Sequence, residues 1–201
     1  ETPFERDFRI SIRLNHLHVL FLLRRLVLNR VSEPDGPIIE VAQEMLSLVI
    51  EAVLVRDELA NSGTTLSWKV AHYGLPAAGM ILLGMMGHRV IPALRSCRAK
   101  VLRDLTVLAA EVGSGTIVKP ENPNYALLTK ATQTIHRFLD FIHSDDQSIR
   151  TATEADAQGH TMDEFSWAAT LEPELWGSEF TFWQGLADHP SVFNQDLATP
   201  H

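Results

Sequence analysis

The chain contains very little cysteine. Cys97 is the single cysteine among 201 residues, so the chain cannot form an internal disulfide bond or a structural zinc site built from several thiolates. Intracellular proteins rarely depend on disulfides because their compartments are reducing. We therefore expect a nuclear or cytoplasmic location.

Long hydrophobic runs are also absent. The longest uninterrupted stretch of apolar or small residues has fourteen members, from Gly74 to Gly87, whereas a membrane-spanning helix needs about twenty. This stretch is typical of a buried core helix, so we expect no membrane insertion. The first eleven residues carry charges of both signs and have no apolar core, which excludes a signal peptide there.

Positive charge is scarce in the last quarter of the chain. Residues 145–201 hold eleven acidic residues and one basic residue, a net charge of −10, whereas residues 1–144 carry +2. An acidic segment repels the phosphate backbone of nucleic acids. We therefore expect no direct binding of nucleic acid by this chain.

The sequence lacks the short motifs of common catalytic and cofactor sites, including the dinucleotide-binding and phosphate-binding glycine loops, HExxH and GxSxG. The best metal-like group is His136, Asp140 and His143, which share one face of a predicted helix. The two histidines are separated by about 10.5 Å of helical rise, too far to chelate one ion alone. We therefore predict neither a metal nor a cofactor.

Helical periodicity dominates the sequence that is present. Apolar residues recur every three or four positions, and no segment shows the alternation of a strand. The pattern predicts an all-α fold, an irregular multi-helix bundle. Its five main helices are expected at residues 11–29, 38–59, 67–87 with an interruption at Pro76, 93–112 and 125–143.

Composition divides the chain into three parts. Residues 1–144 are predicted to form a helical core domain, and residues 145–163, which are polar and acidic, are predicted to form a linker. Residues 164–201 concentrate aromatic side chains among acids. We predict that this C-terminal aromatic segment packs on the core through Phe182 and Trp183, because exposing both rings would be costly.

One group of side chains suggests a binding site. Trp68 and His72 are four residues apart and share a helix face, and Tyr73 follows them directly. They precede a helix rich in Gly and Ala, which leaves space beside its backbone. His16 and His18 lie on opposite sides of the first helix, and His18 or His16 could face the same space. These residues would suit an apolar small molecule. The same pattern is also typical of ordinary core filling and tight helix packing, and these two explanations are favoured over a pocket.

Three segments resemble the fungal-specific transcription factor domain, the middle homology region of Zn2Cys6 regulators. They are LHVLFLLRRLVLNR at 17–30, YGLPAAGMILL at 73–83 and EFTFWQGLADHPSVF at 179–193, and they occur in the family's order along its C-terminal half. The resemblance implies a helical regulatory domain that senses a small molecule or folds against its own activator segments. The DNA-binding zinc cluster of those regulators needs six cysteines, and this chain has one. The resemblance implies no catalytic residues, because the family has none in common.

Two functions remain open at this stage. In the first, the chain is the effector-sensing part of a transcription regulator, acting in the nucleus. In the second, it is a stand-alone helical enzyme of fungal secondary metabolism, a cyclase or isomerase in which His72 and Tyr73 would be the catalytic residues. The initial Glu1 leads us to expect a piece of a longer chain, which favours the first. Whether the chain self-associates is left open.

Overall fold

The computed structural model describes residues 2–28, 30–31, 33–59, 64–87, 91–155 and 173–188. Across these ranges the backbone forms helices and turns and contains no strand, which confirms the all-α fold class. The α-helices are α1 (Pro3–Val27), α2 (Gly36–Leu54), α3 (Thr64–Lys69), α4 (Leu75–Met86), α5 (Pro92–Gly113), α6 (Tyr125–Ala155) and α7 (Pro173–Asp188).

Helix α1 begins eight residues before the position predicted from periodicity. The Thr2 hydroxyl accepts a hydrogen bond from the Glu5 amide, and the Glu5 carboxylate accepts one from the Thr2 amide. This reciprocal capping box satisfies two amides that a helix start leaves without partners. Glu5, Arg6, Asp7 and Arg9 therefore belong to the helix.

Helices α1 and α2 form an antiparallel hairpin. Arg9 pairs with Glu51 at 3.1 Å, and Arg13 pairs with Glu44. Higher residue numbers on α1 therefore lie beside lower residue numbers on α2, as in an antiparallel pair. The buried stripe of α1 faces the core, and α2 contributes ten buried residues to it. Since the four charged side chains are all more than a third exposed, these pairs orient the hairpin more than they stabilise it.

Helix α4 lies at the centre of the molecule. All of its residues are buried, and α2, α5 and α7 pack around it. Its length of twelve residues corresponds to about 18 Å. Within the ranges described above, no helix combines the length and the apolar character needed to cross a membrane.

The third predicted helix is divided into three pieces. Between α3 and α4, residues Val70–Gly74 form a π-helical turn, in which the Leu75 amide donates to the Val70 carbonyl five residues back. Pro76 lacks an amide proton, and in a regular helix its ring would collide with the carbonyl of His72. The wider turn accommodates the proline without ending the helix, so the interruption predicted at Pro76 takes the form of a π turn just before it.

Helix α6 extends beyond the predicted boundary between core and linker. It continues to Ala155, so the first eleven residues of the expected linker, 145–155, are helical. The prediction treated low hydrophobicity as a sign of irregular structure. Polar residues continue a helix when no Gly or Pro stops it, and none occurs between 145 and 155. The rest of the expected linker lies outside the described residues.

Helix α7 attaches the C-terminal segment to the core. Trp183 is 1% exposed, and its ring packs directly against Gly79 of α4. A Cβ atom added to Gly79 would lie 3.0 Å from the Cε3 atom of Trp183. Phe182 is half-buried and packs at 5.0 Å from Trp183, with the Lys130 ammonium 4.8 Å above its ring. Residues 164–172 and 189–201 of the segment lie outside the described residues.

Candidate functional site

The structure brings together the four side chains that the sequence suggested as a binding site. His18 comes from α1, Trp68 from α3, and His72 and Tyr73 from the π turn. The ring centroids of His18 and His72 are 4.6 Å apart in an edge-to-face arrangement, and Trp68 stacks on His72 at 4.5 Å with an interplanar angle of 16°. Tyr73 lies 5.3 Å from both His18 and Trp68. We call these four residues the aromatic cluster.

Tyr73 connects the cluster to α1 through a hydrogen bond. Its hydroxyl donates to the Asn15 Oδ1 atom at 2.6 Å, while its ring is 2% exposed. Burial raises the pKa of Tyr73 above its usual value of 10.0, so the hydroxyl stays protonated and remains a donor at neutral pH. Sequence reasoning missed Asn15, because a lone polar residue on a predicted helix carries no signal of a distant partner.

A buried ion pair provides a second connection between the same elements. Lys69, the last residue of α3, pairs with Asp7 of α1, and the two side chains are 7% and 14% exposed. Buried charges persist only when they are paired. Together with the Tyr73–Asn15 bond, this pair fixes α3 and the π turn along one flank of α1.

Both histidines of the cluster are neutral at pH 7. Burial and, to a lesser extent, repulsion from a charged His72 lower the pKa of His18 from 6.5 to about 4. Burial also lowers the pKa of His72. A neutral imidazole has one donor and one acceptor nitrogen. The cluster therefore offers hydrogen-bonding groups without net charge.

One polar atom of the cluster is left without a partner. The Nε2 atom of His18 is inaccessible to solvent and makes no hydrogen bond to any residue that the structure describes. Such an atom is unusual, because buried polar groups in proteins are nearly always hydrogen-bonded. By contrast, His16 on the same helix is exposed. The sequence showed that the two histidines point in different directions, and the structure shows which one faces inward.

The opposite side of the cluster is open to solvent. Trp68 is 48% exposed and stacks on His72, which is half-buried. The cluster therefore extends from an exposed indole, through His72, to the inaccessible nitrogen of His18. A π turn is often found at functional sites, and here it carries two of the four side chains.

The glycines at the end of the π turn and in α4 do not line this site. A Cβ on Gly74 would lie 3.1 Å from Val49 Cγ1, and a Cβ on Gly84 would lie 3.0 Å from Ile39 Cδ1. Gly79 is covered in the same way by Trp183. The space expected beside this backbone is therefore taken up by side chains of the protein, and tight helix packing explains the glycines.

The group that the sequence suggested as metal-like lies on the surface of the protein. His136, Asp140 and His143 are exposed on α6. Within the part of the chain that the structure describes, no three His, Cys, Asp or Glu side chains are grouped so that they could hold a metal ion. The aromatic cluster is the arrangement from which function can be argued.

Comparison with known proteins adds no relative to this description. No protein family model, curated protein or solved structure matches the chain. The likeness to the fungal transcription factor domain therefore remains an expectation that rests on three sequence segments. Function is therefore inferred from the geometry of the aromatic cluster.

Proposed function

We propose that the chain is a regulatory, effector-sensing domain of the kind found in fungal Zn2Cys6 transcription factors. Its effector is an uncharged, apolar small molecule with one hydrogen-bonding group, held at the aromatic cluster. The observation that carries the proposal is the inaccessible, unpartnered Nε2 atom of His18 beside the half-exposed ring of Trp68.

The unpartnered nitrogen defines the polar part of the effector. Leaving a buried donor or acceptor without a hydrogen bond costs about 1–3 kcal/mol. A ligand hydroxyl both donates and accepts, so it can satisfy His18 in either tautomer. Binding would regain a hydrogen bond that the free protein lacks.

The surrounding rings define the apolar part of the effector. Trp68 and His72 form a stacked pair, and aromatic faces of this kind favour flat or cyclic apolar molecules. Because the nearby Lys69 ammonium is paired with Asp7, it offers no charge to an anionic ligand. An uncharged ligand therefore suits the site better than an acid or a phosphate ester.

The cluster joins two elements, and this suits a sensor. Its rings come from α1 on one side and from α3 and the π turn on the other. A ligand that binds between them favours the state in which α1 is docked. The acidic C-terminal segment makes direct contact with DNA unsuitable for this chain, so we place DNA binding elsewhere in such a regulator.

The lowered pKa of His72 favours a second candidate function. An imidazole that is neutral at pH 7 can accept a proton, which is the role of a general base. In that case the chain is an isomerase or cyclase of secondary metabolism and His72 is catalytic. Tyr73 is less suited to act as an acid, because its hydroxyl proton is already donated to Asn15.

Ligand binding can be tested with two matched probes. Naphthol carries a flat apolar ring and one hydroxyl, and naphthalene lacks the hydroxyl. A ligand present at one hundred times its Kd stabilises a protein by about 2.7 kcal/mol, which corresponds to roughly 5–10 °C in Tm for a chain of this size. We expect naphthol to raise the Tm of the wild-type protein more than naphthalene does.

Two histidine variants locate the effect. His18→Phe keeps a ring of similar size but removes the Nε2 atom, and His16→Phe is the matched control on the exposed side of α1. We expect the advantage of naphthol over naphthalene to disappear in His18→Phe and to persist in His16→Phe. If neither probe nor a wider panel of uncharged cyclic alcohols shifts the Tm, the cluster is core packing and the proposal is wrong.

The enzyme alternative makes a separate prediction. A general base at His72 would exchange protons next to the carbonyl of a bound cyclic ketone, so deuterium from heavy water would enter the ligand. Mass spectrometry of ketones incubated with wild-type and His72→Phe protein measures this exchange. Binding without exchange supports the sensor, and exchange that depends on His72 supports the enzyme.

A further inference from the structure

Helix α1 carries an apolar stripe on its exposed face. Seven large hydrophobic side chains of this helix are more than half exposed, and we call them the α1 stripe: Phe4, Phe8, Ile12, Val19, Leu23, Leu26 and Val27. Apart from the adjacent Leu26 and Val27, successive members are three, four or seven residues apart, and these spacings keep side chains on one helix face. Phe4 and Phe8 already contact each other, with ring centroids 6.1 Å apart.

The stripe lies opposite the face that packs on the core. The buried residues of α1 are Ile10, Leu14, Leu17 and Phe21, about half a turn away from the stripe. A helix that is apolar on two opposite faces is typical of one covered on both sides. A continuous exposed patch of this kind marks an interaction surface.

Six of the seven residues of the stripe, all except Leu26, are spaced symmetrically along α1. Phe4 and Val27, Phe8 and Leu23, and Ile12 and Val19 are each equally distant from the midpoint between residues 15 and 16. An antiparallel pair of identical helices related by a two-fold axis at that midpoint brings each residue opposite its counterpart. We propose that the partner of the α1 stripe is a second copy of this chain, docked antiparallel through α1.

The exposed area is of the size that a dimer needs. Aromatic side chains bury about 150–250 Å² each, and aliphatic side chains bury less. With exposures between 52% and 83%, the seven residues offer on the order of 500–700 Å² per copy, near the lower end of the roughly 600–1,000 Å² per partner of a stable interface.

The charges beside the stripe favour a protein partner over a lipid surface. A helix that lies on a membrane normally flanks its apolar face with free cationic side chains that reach anionic headgroups. Here Arg9 and Arg13 are engaged by Glu51 and Glu44. The flank nearest α2 is thus neutralised, which suits contact with another copy of the same chain.

Disulfide trapping tests the symmetry of the pair. In a Cys97→Ser background, Ile12→Cys protein is mixed with Val19→Cys protein and oxidised. Antiparallel pairing places residue 12 opposite residue 19 of the partner, whereas residues 12 and 12 of the two copies are separated by about 10 Å along the axis. We expect a cross-linked dimer in the mixture and none in either protein alone. Cross-linking of one variant with itself, or none in the mixture, would overturn the antiparallel arrangement.

Sedimentation of the whole chain tests the interface itself. Phe8→Glu places a charge in the stripe, and Leu54→Glu is the control, because Leu54 is 60% exposed at the end of α2. We expect the wild type and the control to dimerise, and Phe8→Glu to raise the dimer Kd at least about tenfold. A wild-type chain that stays monomeric up to about 100 µM would refute the proposal. A monomeric chain that floats with lipid vesicles would refute it as well, because the stripe would then contact a lipid surface.

Discussion

His18 and His72 meet edge to face with ring centroids 4.6 Å apart, although they belong to different helical elements. Protonation of either ring destabilises the folded protein, because both rings are partly withdrawn from water and a charged His72 also opposes a charge on His18. The contact makes the docking of α1 against the π turn dependent on pH.

The pH dependence of stability follows from the lowered pKa of His18. In the unfolded chain His18 titrates near 6.5, and in the folded protein near 4. As the pH falls from 6.5 toward 4, the unfolded state binds a proton that the folded state does not, so stability present above pH 6.5 is lost across this window. Allowing for partial exposure, we expect a loss of about 1–2 kcal/mol from this group.

Two variants isolate that loss. His18→Phe removes the titrating group, so its Tm should fall less than that of the wild type between pH 7 and pH 4 in thermal melts. His16→Phe, which removes an exposed histidine, should follow the wild type. A parallel decline of all three proteins would show that His18 does not titrate abnormally.

The Tyr73–Asn15 hydrogen bond predicts unequal effects from its two partners. Tyr73→Phe removes the buried hydroxyl and leaves an amide that can turn to water, so we expect a loss of about 1 kcal/mol. Asn15→Ala leaves the hydroxyl of a fully buried ring without its partner, so we expect a loss of about 2–3 kcal/mol. Urea unfolding of both single variants and of the double variant measures the difference. Equal losses would mean that water reaches the hydroxyl.

Gly79 and Gly185 should respond oppositely to the same substitution. A Cβ at Gly79 would press on Trp183 at 3.0 Å, so Gly79→Ala should destabilise the protein by about 1–3 kcal/mol. A Cβ at Gly185, in α7, meets nothing within 4 Å, so Gly185→Ala should stabilise it by up to about 1 kcal/mol. Chemical denaturation measures both. Stabilisation by Gly79→Ala would show that α7 does not pack on α4 as described.

The Lys69–Asp7 pair predicts a strong dependence on both partners. Lys69→Met leaves the Asp7 carboxylate mostly buried and unpaired, so we expect a loss of about 3–5 kcal/mol. The double variant Asp7→Leu with Lys69→Met removes both charges and should recover most of that loss. A double variant as unstable as the single one would contradict the paired, buried arrangement.

The helices could be predicted because their signals are local. Pro92 and the apolar spacing after it predicted α5 almost to the residue, from Pro92 to Gly113. The start of α1 was missed because the prediction relied on periodicity, which the outward-facing Phe4 and Phe8 disturb. Thr2 and Glu5 have the spacing of a capping box, so the sequence did carry a signal for this helix start.

The site could be predicted only in part. Trp68, His72 and Tyr73 are close in sequence, so their grouping was accessible, and His18 was inferred from its place on an apolar helix. The π turn that presents His72 and Tyr73 to α1 accommodates Pro76. The sequence predicted an interruption at Pro76 but not the form that the interruption takes. The Asn15 contact depends on tertiary structure, since the two partners are far apart in the chain.

The central claim is that the Nε2 atom of His18 is the polar contact of a bound apolar effector. Nitrogen-15 NMR of imidazole-labelled protein observes that atom directly, with resonances assigned by the His18→Phe and His16→Phe variants. Titration with naphthol should move the His18 Nε2 resonance, naphthalene should move it much less, and the His16 resonances should stay in place. A His18 resonance that ignores naphthol, or that moves equally with both probes, would contradict the account.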